Sequence, residues 1–106
     1  MPHSKELVPT ITQIKNAVSQ SYGIKREALE QSKRGQINEP RNVAIFLSRK
    51  HSGLRLEEIG KEFGLGKYSS VSSVVIRIGA QLIRNKQLQK RLKEIRHTLD
   101  KSQAKT

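Results

Sequence analysis

The sequence predicts an all-α fold of five to six helices containing a helix-turn-helix, and three observations carry that expectation. Apolar residues recur at steps of three and four in several separate stretches, no stretch shows the strict alternation of a half-buried strand, and glycine, proline and asparagine punctuate the gaps between stretches. With 106 residues the chain has the length of one domain with a modest core. The expected organisation is a flexible N-terminal segment over 1–9, a helix-turn-helix domain over 10–100 and a frayed tail over 101–106.

The first helix is expected to start at Thr10, whose hydroxyl can cap the helix while Gln13, three residues on, completes a capping box. Ile11, Ile14 and Val18 then share one face, and Tyr22-Gly23 ends the helix, glycine being suited to the left-handed conformation there. Ile24, Ala28 and Leu29 support a short helix at most, followed by a polar basic loop from Gln31 to Asn38. Asn38-Glu39-Pro40 reads as a helix start, because proline in the first turn gives up a donor that has no partner anyway. Val43, Ala44 and Leu47 form the buried face of this helix, and His51-Ser52-Gly53 stops it. Leu56, Ile59 and Phe63 carry the next one, ending at Gly64. After the short turn "LGK" a long stripe follows, Val71, Val74, Val75, Ile78 and Leu82. A polar break near Asn85-Lys86 precedes the last helix, with Leu88, Leu92, Ile95 and Leu99 inward.

The front of the long helix is small and polar. At about 100° per residue, Ser69, Ser73 and Ala80 fall opposite the core stripe, with Arg77 beside them and Lys67 just ahead. Serines alone would suit an ordinary capped surface helix. Preceded by a helix and a short turn, they instead suit a helix whose N-terminal end approaches a major groove, where the dipole and backbone amides meet phosphate and short hydroxyls allow close contact with base edges. Tyr68 is expected to start this recognition helix. Ile76, between the core and the far face, either touches thymine methyls or packs on a neighbour.

Composition narrows the partner. Lys and Arg number 21 against 9 Asp and Glu, a formal charge of +12, and such a field around a small body selects a polyanion. The cations are spread over several segments instead of forming one amphipathic anchor, and there is no long apolar run, so no membrane partner is expected. Cysteine is absent, as suits a reducing, cytoplasmic compartment. His3, His51 and His97 lack metal-ligand spacing, and Asp100 is the only aspartate. Neither a metal site nor a metal-dependent nuclease centre is therefore expected. Tyr22 and Tyr68 have no activating neighbour and are expected to pack and to contact DNA, respectively. His51 is expected in the last turn of its helix, where partial positive charge suits the dipole.

The residues "SKRG", "EPRNVAIFLSRK", "LEEIGKEFG" and "KYSS" followed by valine, in that order, resemble the C-terminal DNA-binding domain of the bacterial replication initiator DnaA, from Ile11 to about Leu99. The resemblance implies an all-α, DnaA C-terminal-domain or Trp-repressor-like fold whose helix-turn-helix reads a short duplex site. It further implies that Lys33 and Arg34 lie in a basic minor-groove loop, that Arg41 and Asn42 open the following helix against backbone and base, and that Arg49 holds a phosphate. Tyr68, Ser69 and Ser70 stand where the family has histidine and two threonines. The family signature Gly-Arg-Asp-His-Thr-Thr is replaced by Gly66, Lys67, Tyr68, Ser69 and Ser70, so the sequence read is expected to differ from the usual initiator box. No phosphate-binding GxxxxGK[ST] loop occurs, so the chain is not expected to act as a full initiator. Similar altered domains accompany proteins resembling single-strand transposases.

The expectation is thus a non-enzymatic, nucleoid-associated module without cofactor, metal or small-molecule substrate that binds double-stranded DNA, as a monomer, for a transposase-like or regulatory protein. Lys67, Tyr68, Ser69, Ser70 and Ser73 face the major groove, Arg77 flanks it, and Arg41, Asn42, Arg49, Lys33 and Arg34 supply the remaining contacts. Binding is expected to be sequence-specific, but short serines discriminate bases weakly, so phosphate contacts should dominate affinity. The alternatives are a fragment of a transposase whose catalytic domain lies elsewhere and an RNA- or protein-docking helical module.

Overall fold

The computed structural model describes residues 9–30 and 38–104, of 101–104 the backbone alone. Among these residues there are five α-helices and one short 3-10 helix, and no strand. Helix α1 (Ile11–Tyr22) begins in a capping box: the Thr10 hydroxyl accepts from the Gln13 N–H at 3.1 Å, and the Gln13 carboxamide oxygen accepts from the Thr10 N–H at 2.9 Å. It ends on Gly23, at φ 66°, a conformation glycine adopts without the Cβ clash other residues meet. The 3-10 helix Arg26–Glu30 buries Leu29. Helix α2 (Glu39–His51) is capped by Asn38, which accepts from the Arg41 N–H at 3.0 Å and donates to the Ala28 carbonyl at 2.9 Å. One side chain thereby starts the helix and ties it to the 3-10 turn.

Helix α3 (Leu56–Glu62) is short, α4 (Tyr68–Arg84) is long, and α5 (Lys86–Ala104) follows after Asn85, whose side chain caps it by accepting from the Leu88 N–H at 3.0 Å. Helix α4 packs against α2, α3 and α5, while α1 closes the other side against α2 and α5. The core they share includes Ile14, Val43, Leu47, Ile59, Val71 and Ile95, each 1% exposed or less. Two helix ends differ from expectation. Helix α3 stops at Glu62, with Phe63 as its C-cap and Gly64 left-handed at φ 72°, so Phe63 turns into the core as the chain leaves the helix. The backbone of α5 runs on through 104, past the residue where the tail was expected to begin.

Candidate nucleic-acid interface

Two buried arrangements hold the segment α3–turn–α4 in place. Lys15, on α1, is 6% exposed. Its ammonium donates to the Glu62 carbonyl at 2.8 Å, to the Glu62 carboxylate at 3.2 Å and to Glu30 at 3.1 Å, and lies 4.9 Å from the centre of the Phe63 ring. A cation at the C-terminal end of α3 satisfies a carbonyl that has no partner in its own helix and meets the negative end of the dipole. The second arrangement is the turn. The Leu65 N–H donates to the Gly60 carbonyl at 2.8 Å, and a Cβ on Gly60 would stand 3.2 Å from the Leu65 carbonyl and 3.4 Å from Val71. The absence of a side chain at Gly60 lets α3 and α4 approach this closely.

Helix α4 buries Val71, Val74 and Ile78 and leaves Tyr68, Ser69, Ser70, Ser73 and Arg77 exposed, Tyr68 at 61%. Its N-cap is Lys67, which makes no side-chain cap, and there is no acid in the first turn. Among the described residues the hydroxyls of Ser69, Ser70 and Ser73 have no hydrogen-bond partner. The serine side chains are therefore not spent on capping: although the Ser70 N–H donates to the Lys67 carbonyl at 3.1 Å, the first turn has no side-chain cap and offers free hydroxyls and the positive end of the dipole. Beside it, Lys67, Tyr68 and Ser69 line a recess of about 420 Å³ together with Glu57 and Lys61 of α3. Lys61 was not singled out from the sequence. The available signal was its place four residues after Glu57, on the polar face of the helix leading into the turn.

The other expected contacts are placed less uniformly. Arg49 is exposed near the end of α2, and Arg41 is half-buried in its first turn. Asn42 is 5% exposed and turned into the protein, because it falls on the helix face that also carries Ile45 and Phe46. Among the described residues, its Oδ1 and the Arg41 Nε are buried side-chain atoms without a partner. Lys33 and Arg34 lie outside the described residues. Ile76 does not pack on a neighbour: it is 69% exposed, and Ile83, seven residues on along the same face, is 80% exposed. His51 does end α2, but burial, reinforced by Arg96 and Lys50 and only partly offset by Asp100, holds its imidazole below its ordinary value. That favours the neutral ring over the charged form the dipole alone would select. Tyr22 packs, as expected. It donates to Glu39 at 2.6 Å under the Arg91 guanidinium, 4.1 Å from the ring centre, and burial with the Glu39 bond pushes its hydroxyl upward.

A short helix, a glycine-bearing turn and a longer helix with an uncapped, polar and basic front define a helix-turn-helix of the DNA-binding class. The family described as the bacterial dnaA protein helix-turn-helix matches residues 11–78, more than half of the chain, and this protein belongs to that family. DNA binding through the helix-turn-helix follows from the membership. Among the described residues no helix is long and apolar enough to cross a membrane, and no group of acids and histidines could hold a metal ion.

Proposed function

We propose that this chain is a site-specific duplex-DNA module of a transposase-like or regulatory protein and that it lacks the activity of a replication initiator. The observation that carries the reading is the front of α4, where Ser69, Ser70 and Ser73 are exposed and unbonded behind the free N-terminus at Lys67. In this reading Lys67 and Arg77 hold phosphates on either side of the recognition helix and Tyr68 and the three serines meet base edges. Arg41, Arg49 and the loop residues Lys33 and Arg34 add phosphate or minor-groove contacts, and Lys61 joins Lys67 at the turn. Ile76, three residues after Ser73 and exposed, meets a thymine methyl. The altered signature Gly66-Lys67-Tyr68-Ser69-Ser70 supports a role apart from origin firing.

Selection of bound duplexes from a random pool at two salt concentrations tests the reading, followed by titration of the selected duplex against a scrambled one. A motif preferred by at least about tenfold is expected, within the range single contacts can supply. Tight binding without preference, falling steeply with salt, would reduce the role of α4 to close approach. Competition by structured RNA at equal affinity would favour the RNA-docking alternative instead.

A further inference from the structure

A second electropositive feature lies at the other end of α4. The helix-turn-helix front occupies its first two turns, whereas Leu82, about 21 Å further along at 1.5 Å per residue, lines a groove of about 870 Å³ between the end of α2 and the length of α5. One wall carries Lys50 and His51, and the facing wall carries Lys86, Lys90, Lys93 and Arg96 of α5. Those four recur at steps of four, three and three residues and form a row about 15 Å long on one helix face. The one acid lining the groove is Asp100. Among the described residues the ion pairs are those of Lys15 with Glu30 and Glu62, so none of the groove cations is neutralised by a carboxylate. His51 is held below its ordinary value first by burial and then by Arg96 of the facing wall, with Lys50 adding to this and Asp100 opposing it.

The shape selects among polyanions. A duplex presents its phosphates on a convex ridge and would meet one wall at a time. A single strand needs exposed aromatic faces for its bases. Here Phe46 is 7% exposed, and its face is taken by the Lys50 ammonium at 5.6 Å. A narrow chain bearing carboxylates on two sides can meet both walls at once, laying its apolar atoms on half-buried Leu82 and on the aliphatic stems of the lysines. We propose that the groove between α2 and α5 binds an acidic peptide segment of a partner protein, leaving the front of α4 free for DNA.

The test uses the full chain and an unlabelled oligoglutamate peptide of about 12 residues, long enough even as a helix to span the row. It is followed by nitrogen-15 NMR and by calorimetry at two salt concentrations. Shifts are expected at Lys50, Leu82, Lys90 and Lys93, with Ser69 and Ser70 unmoved. The exposed double variant Lys90→Glu/Lys93→Glu should weaken the peptide at least about tenfold. The variant Lys25→Glu/Arg26→Glu removes the same charge from the 3-10 region and should weaken it far less. Equal weakening by both variants would overturn the proposal, because the attraction would then be that of net charge alone. Groove shifts produced by duplex DNA in place of the peptide would also overturn it. So would groove-dependent binding to phosphatidylglycerol vesicles with no response to oligoglutamate. The readout does not depend on the proposed DNA site and stands apart from it.

Discussion

Single side chains decide how firmly the helix-turn-helix is held and how it responds to pH. Lys15 reaches from α1 to the last turn of α3, so Lys15→Met leaves the Glu62 carbonyl without its ammonium. The expected cost is about 1–3 kcal/mol, read as a lower midpoint in urea unfolding. Because Glu30 and Glu62 are each about half exposed, water takes over much of their solvation and the loss stays well below that of an isolated buried charge. His51 sets an acid limit. Its folded-state value lies below the ordinary imidazole value, so its contribution is complete above about pH 6.5 and is lost as pH falls through the folded value. The melting temperature of the wild type should therefore drop more steeply below that pH than that of His51→Gln. Tyr22 has the opposite sign, since burial and Glu39 raise it. Its contribution is present below about pH 10 and fades above it, and Tyr22→Phe should flatten the alkaline limb of the same curve. On DNA, Arg49→Ala should weaken all duplexes alike, while Ser69→Ala/Ser70→Ala should alter the ranking among duplexes more than the mean affinity.

At the level of elements, α3 and α4 come close at Gly60, where an added Cβ would stand 3.2 Å from the Leu65 carbonyl. A methyl group at Gly60 meets the Leu65 carbonyl, which is backbone inside a tight turn and cannot rotate away. Gly60→Ala should cost about 1–3 kcal/mol by overpacking and should lower DNA affinity beyond what stability explains, because it changes the angle between the two helices. Circular dichroism melts compared with binding under fully folded conditions separate the two effects. The helices themselves were legible in the sequence. Thr10 with Gln13, Gly23, and Asn38 with Pro40 act within a few residues of themselves, and each stripe records its own buried face. The C-terminal end of α3 was less legible, since Phe63 continues the apolar spacing although the backbone has already left the helix.

Across the whole molecule, a charge of +12 makes DNA affinity fall with salt. The slope of log affinity against log salt should shrink by about one for each phosphate-contacting cation removed. Lys67→Ala and Arg49→Ala are expected to show that change and Lys25→Ala is not, as measured by anisotropy titrations at several salt concentrations. The sequence by itself determined the all-α class, the order and approximate limits of the helices, the helix-turn-helix and the polyanionic partner. These rest on local periodicity, capping and net charge, all of which are properties of neighbouring residues or of composition. Only the tertiary structure decided that Lys15 and Asn42 are buried, that His51 disfavours its charged form, that Lys61 shares a recess with Lys67 and that α2 and α5 enclose a second basic groove. Each of these depends on which helices meet across the core, and burial and electrostatic fields are set by residues far apart in the chain.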